Sequence, residues 1–256
     1  MDLSAYRASA AEQQRTDDVL HLMPAAGRQA LDIGARDGYF SLLMAERFDE
    51  VTALDLVEPE VNHPRVRCVE GNASNLPFSD ATFDFVLCVE VLEHIPPSML
   101  AEVCREPERV ATRRILIGVP YRQDLRVGRT TCYSCGGKNP PWGHVNSFDE
   151  RRLAGLFSRC QVETVSFVGV NGAWTNGVSA ALMDFAGNPY GTYEQEEPCI
   201  HCGQRLIAPP LRSVAQRLAT RCAFWSRRIT EALTPPRGNW LHMMLRRSNG
   251  DPGCMA

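Results

Sequence analysis

Two hydrophobic rhythms share the chain. Short, nearly unbroken apolar runs at residues 29–33, 51–56, 66–69, 83–89 and 115–119 have the length and character of parallel strands covered on both faces. Residues with helical spacing lie between them: Leu3, Tyr6, Val19, Leu20 and Leu22 ahead of Pro24, then Tyr39, Leu42, Leu43 and Phe48, then Leu100, Val103, Cys104 and Val110 around Pro107. Strands alternating with helices in this way predict an α/β chain with a doubly wound parallel sheet. Further on, Ser147-Phe148-Asp149-Glu150 is a capping-box pattern ahead of Leu153, Leu156 and Phe157, and residues 162–168 and 240–245 read as two more strands. Between those strands runs a long excursion, 169–238. It holds a helix over 211–233 with Leu211, Val214, Leu218, Cys222, Trp225, Ile229 and Leu233 on one stripe.

The first strand ends in a carboxylate and runs into glycines: Asp32, Gly34, Ala35, Arg36 and Gly38, with Asp37 placed to cap the following helix. The second strand ends on Asp55, one βα unit later. A glycine turn at a strand's carboxyl end lets a ligand lie against bare backbone, and a carboxylate one strand over can accept both hydroxyls of a ribose. A dinucleotide site keeps such a turn uncharged, because a carboxylate repels the pyrophosphate. Asp32 suits instead a ligand carrying an ammonium and a sulfonium.

This turn resembles the first motif of class I S-adenosylmethionine-dependent methyltransferases, with Arg36 standing where the middle glycine is usual. Residues 71–95, GNASNLPFSDATFDFVLCVEVLEHI, extend the resemblance to the small-molecule, type 11-like branch through Asn72-Ala73, Leu76-Pro77-Phe78, Phe83-Asp84, Glu90 and Glu93-His94. The resemblance implies one methyltransferase domain over the chain, built on a seven-stranded sheet whose last strand is antiparallel. It places Asp32 and Gly34 at the donor's amino-acid moiety, with Ala35, Arg36 and Gly38 completing the turn. Asp55 falls on the ribose, Leu56 over an adenine face, Asn72 (through its amide oxygen) with Ala73 at the adenine edge, and the Val89 carbonyl near the ammonium.

Composition narrows the setting. A formal net charge of −3 argues against a general nucleic-acid binder. The charge is uneven, because nine arginines follow His201 against only Glu231 and Asp251. Such a run is ordinarily a solvated face; the alternative is a patch that meets an anionic or carrier-linked acceptor. No window approaches the roughly 18 apolar residues of a membrane span, and the polar amino terminus lacks a secretory core, so a cytoplasmic enzyme is expected.

Four cysteines form a second signal. Cys132-Tyr-Ser-Cys135-Gly and Cys199-Ile-His-Cys202-Gly are each a C-x-x-C knuckle followed by glycine, suited to gripping one tetrahedral metal with two thiolates. The first follows the fifth strand and the second the sixth, so a structural Zn²⁺ is expected to staple two insertions, 121–147 and 169–238, at the carboxyl edge on the substrate side. Disulfides are disfavoured in a reducing cytosol. Cys68, Cys88, Cys104, Cys160, Cys222 and Cys254 are scattered and mostly read as small core residues.

Methyl transfer from a sulfonium needs alignment and, for a hydroxyl acceptor, removal of a proton. His144 and His94 are the candidate bases. The favoured function is O-methylation of a small molecule such as a sugar or natural-product scaffold. Two alternatives stand beside it: a macromolecule (RNA or protein) methyltransferase reading its target through the zinc knuckles, and a zinc-stapled scaffold that binds the donor without turnover. The acceptor, the oligomeric state and the role of Tyr121, Trp142, Trp174 and Tyr190 stay open.

Overall fold

The computed structural model describes residues 7–248, so Leu3, Tyr6 and Cys254 fall outside the described residues. The chain divides into two compact units: one comprises the segments up to Tyr121, Phe148–Gly169 and from Asn239 on, the other Arg122–Ser147 and Val170–Gly238.

The first unit runs α1 (Ala10–Leu22), β1 (Gly27–Ile33), α2 (Tyr39–Met44), β2 (Phe48–Asp55), β3 (Val66–Glu70), β4 (Phe83–Val89), α3 (Leu100–Val110) and β5 (Ala111–Pro120). It resumes with α4 (Glu150–Gly155), β8 (Cys160–Val168) and β9 (Trp240–Arg247). The second unit contributes β6 (Thr130–Thr131), β7 (Lys138–Asn139), α5 (Gly177–Phe185) and α6 (Val214–Leu233). Seven strands form one sheet in the order β3-β2-β1-β4-β5-β9-β8. The pairs among β1 to β5 are parallel, and β9 is antiparallel to both of its neighbours. This is the doubly wound, mostly parallel sheet with an antiparallel last strand that the pattern and the resemblance predict.

Strand alternation sorts the core into two layers. Val86 and Cys88 of β4, with Ile115 and Ile117 of β5, pack under Leu100, Val103 and Cys104 of α3 and Leu153 of α4. Phe85, Leu87 and Val89 face the other way, with Ala30, Val51 and Met244, against Val19 of α1, Met23 just after it and Met44 of α2. Continuous apolar strands are what two covered faces require.

Helix ends differ from the sequence expectation in three places. Asp37 does not cap α2: Gly38 does, with φ 74° and no side-chain hydrogen bond, while Asp37 pairs with Arg7. Phe48 opens β2 instead of closing the helix. The cap of α4 is Asp149, not Ser147; its carboxylate accepts from the Arg152 N–H at 2.8 Å. Pro107 lies within the last turn of α3 without ending it.

In the second unit, α5 and α6 pack through small residues. Asn176 Nδ2 donates to Thr230 Oγ1 (2.7 Å) and to the Ser226 carbonyl (3.0 Å), and the Ser179 hydroxyl donates to the carbonyl of buried Ala223 (2.9 Å). The apolar stripe read from the sequence is therefore not the packing face of α6: Leu218, Trp225, Ile229 and Cys222 are all exposed.

Candidate functional site

The carboxyl ends of β1 and β2 are locked together by backbone and carboxylate. The Gly34 and Ala35 N–H groups donate to the Leu54 carbonyl at 2.8 and 3.1 Å. The Asp55 carboxylate accepts from the Arg36 N–H on Oδ2 and from the Leu56 N–H on Oδ1, each at 2.7 Å. Three residues of the turn have left-handed backbone: Gly34 (φ 78°), Arg36 (φ 51°) and Gly38 (φ 74°). Arginine at the middle position thus adopts the conformation that a glycine would take at no steric cost. The outer two positions admit nothing larger, since a Cβ on Gly34 would stand 2.3 Å from Val91 Cγ2 and one on Gly38 would stand 2.0 Å from Val61 Cγ2.

Asp32 is buried beneath this turn, and its Oδ2 accepts the Ser41 hydroxyl at 2.6 Å. Burial pushes its carboxyl up to about 6; the Ser41 hydrogen bond opposes this, and the Asp55 charge adds to it. A cationic ligand is the natural partner for such a carboxylate, because it relieves the cost of burying the charge. Asn72 stands after β3, but its amide oxygen accepts both the N–H and the hydroxyl of Ser74, at 2.9 and 3.0 Å. The oxygen that sequence reading aimed at an adenine amino group is therefore engaged in a local turn. Ala73 packs partly buried beside the core, Leu56 is exposed, and Val89 ends β4.

The segment after β4 carries charges that the sequence did not reveal as a network. Glu90 has left-handed backbone (φ 59°), and its carboxylate lies 3.5 Å from Arg15 of α1, which also pairs with Glu12 at 2.7 Å. Burial pushes Glu90 up to about 6, with Arg15 opposing, and burial likewise drives Glu93 well above the usual carboxylate range. The missed signal is a charged row at positions 12 and 15 of a helix otherwise read by its apolar residues. Arg7 was missed too; it sits 4.2 Å from the Tyr39 ring centroid. His94 follows directly, its N–H bonded to the Val91 carbonyl. His144 belongs to the second unit. Its Nδ1 lies 2.6 Å from Gln123 Oε1, an oxygen that can only accept, so Nδ1 is the donor in this contact.

In the second unit the four cysteines come together. Cys132 Sγ lies 3.7 Å from Cys202 Sγ, Cys135 Sγ lies 3.7 Å from Cys199 Sγ, and all four sulfurs lie within 4.8 Å of one another. The two knuckles share one fold: Gly136 N–H donates to the Cys132 carbonyl and Gly203 N–H to the Cys199 carbonyl, each at 2.8 Å, with both glycines left-handed. A tetrahedral metal held by sulfurs at about 2.3 Å has sulfur–sulfur edges of roughly 3.8 Å. The donor set fits such an ion. His201 Nε2 instead meets the Lys138 carbonyl at 3.0 Å.

Comparison with known proteins bears on the first unit. Residues 31–114 match the methyltransferase-domain family, a span that holds the glycine turn, Asp55, Asn72 and the Glu90 segment. The chain carries a class I S-adenosylmethionine-dependent methyltransferase domain. Among curated relatives, this domain is 30% identical over 102 residues to the ubiquinone biosynthesis O-methyltransferase of Albidiferax ferrireducens, covering 35% of this chain and 40% of that protein. The match thus spans less than half the length of that relative. Among solved structures, the 1,6-didemethyltoxoflavin-N1-methyltransferase of Burkholderia thailandensis, with S-adenosylhomocysteine bound, shares the fold at TM-score 0.54 and 17% identity, over 96% of this chain and 82% of that one. The N-methyltransferase NodS of Bradyrhizobium japonicum does so at TM-score 0.54 and 12% identity, over 95% and 99%.

Proposed function

We propose that the protein transfers a methyl group from S-adenosylmethionine to a hydroxyl of a small molecule. The observation that carries the reading is the Asp32–Gly38 turn, whose buried acid and left-handed backbone are closed by Asp55 through the Arg36 N–H. In this reading Asp32 meets the donor's positive charge, aided by the Gly34 backbone and the Val89 carbonyl. Asp55 accepts the ribose hydroxyls on lone pairs that its backbone contacts leave available, and Ala73 supplies the adenine edge. With its oxygen engaged by Ser74, Asn72 has only its amide N–H groups to offer a base nitrogen. The O-methyltransferase among the relatives supports a hydroxyl acceptor.

A hydroxyl acceptor must lose its proton. We assign that task to His144 ahead of His94, because the Gln123 contact holds the His144 ring with Nδ1 as the donor. The second unit is assigned to acceptor choice. Its four cysteines hold a structural Zn²⁺, which joins two segments separated by 64 to 70 residues in sequence. Reduced thiolates suit the cytoplasm.

Calorimetry separates the cofactor classes. S-adenosylmethionine and its demethylated product should bind while NAD should not, and binding of neither would leave a zinc-stapled scaffold. His144→Ala with unaltered donor affinity should lose turnover; full turnover would remove His144 from the mechanism.

A further inference from the structure

We propose that α6 is an interfacial helix that lays its apolar stripe onto an anionic lipid surface. This inference rests on the second unit alone and holds whatever atom is methylated.

The helix is amphipathic in the inverted sense. Its packed side carries Ala219, Thr220 and Ala223, the last fully buried, with Ser226 and Thr230 bonded to Asn176. Its outward side carries Leu218 (53% exposed), Trp225 (68%), Ile229 (64%) and Leu233 (80%), with Val214 and Cys222 on the same stripe. At 100° per residue these positions fill a strip about 100° wide, and over 20 residues the strip runs roughly 30 Å. Isolated exposed apolar residues are ordinary, but a continuous strip of this size marks an interaction surface.

The charges name the occupant. Arg217, Arg221 and Arg228 fall in one row along the flank of the strip, about 70 to 110° from its centre. None of the three has a carboxylate partner among the described residues. Arg228 lies 5.6 Å from the Trp225 ring centroid. The single acid of the helix, Glu231, is already paired with Arg227 at 2.7 Å. A second copy of this helix therefore has no carboxylate to offer, and an antiparallel two-fold pairing would set arginine row against arginine row. A bilayer with anionic headgroups matches every part: long arginine side chains reach the phosphates while leucine, isoleucine and tryptophan enter the acyl boundary. No helix among the described residues is long and apolar enough to cross a membrane, so the helix lies in the plane of the surface.

The test is sedimentation of the full chain with phosphatidylcholine–phosphatidylglycerol vesicles, against phosphatidylcholine alone. The chain should pellet with the anionic vesicles, less so as salt is raised. Each arginine near such a surface contributes about fivefold, so the triple variant R217Q/R221Q/R228Q should bind roughly 100-fold more weakly. L218S/W225S/I229S should also release the vesicles, and both variants should keep the wild-type melting temperature because these side chains point outward. Failure to pellet with either vesicle would overturn the proposal. Equal binding to neutral vesicles, unmoved by the arginine variant, would overturn it as well. So would a concentration-dependent dimer that L218S/W225S/I229S abolishes while vesicles are ignored, or a large loss of stability in that variant.

Discussion

Replacing Asp32 by asparagine should make the ligand-free protein more stable and the donor bind more weakly. The carboxyl is buried and pushed up to about 6 from 3.8, chiefly by desolvation. A raised carboxylate takes up protons more readily in the folded chain than in the unfolded one. Its contribution to stability is therefore most favourable below about pH 4 and falls as pH rises towards 6. Above that, the full cost of the buried charge applies, about 3 kcal/mol for a shift of roughly two units. Asparagine removes the charge and keeps an oxygen for the Ser41 hydroxyl, but leaves an amide N–H₂ with an unmet hydrogen-bonding need, costing about 1 kcal/mol.

The net gain near neutral pH is about 2 kcal/mol, or roughly 4–8 °C in melting temperature for a chain of this size. At about pH 4.5 the wild-type acid is itself largely neutral, and the two proteins should melt nearly together. Donor affinity should move the other way, weakening by about 1.5–3 kcal/mol as a hydrogen bond to a charged group is lost. Thermal melts of both proteins at the two pH values, with calorimetry for the donor, supply all the readings. A lower melting temperature for Asp32→Asn at neutral pH would refute the reasoning, and so would a gain that persists unchanged in acid.

Arg36→Gly should stabilise by up to about 1 kcal/mol, since left-handed backbone costs arginine roughly 1–2 kcal/mol and glycine's added chain entropy returns about half of that; urea melts check it. Asp55→Ala should weaken donor binding by about 1–3 kcal/mol and also lower stability, because the Arg36 and Leu56 N–H groups lose their acceptor. Unchanged affinity by calorimetry would remove Asp55 from the ribose. The purified chain should carry one zinc, and Cys199→Ser with Cys202→Ser should reduce it below about half an equivalent. Metal analysis that finds zinc retained in the double variant would exclude the four-thiolate site.

The parallel strands were legible because a strand covered on both faces has no polar side to break its run, as Phe85 to Val89 illustrate. The glycine turn was legible because left-handed backbone and close approach exclude other residues at Gly34 and Gly38. Helix starts were not, since two or more capping residues stood within reach of each: Asp37 lost to Gly38, and Ser147 to Asp149. The inward charges of α1 were hidden for another reason. Arg15 is held by Glu12 and Glu90, and no local spacing announces a partner 75 residues away. Periodicity likewise revealed the two faces of α6 but not which was packed. Small residues at Ala219 and Ala223 let its backbone come close enough to bond with α5, and that decided the orientation.

β9 is the final strand among the described residues, yet it lies between β5 and β8. Each of those neighbours holds it along nearly its whole length, and β8 joins the sheet through it alone. A ribosome that has delivered everything up to Gly238 has therefore made a sheet still split in two, with raw edges along both β5 and β8. Completion of the sheet waits on the eight residues of β9, which makes their emergence the step that commits the nascent chain.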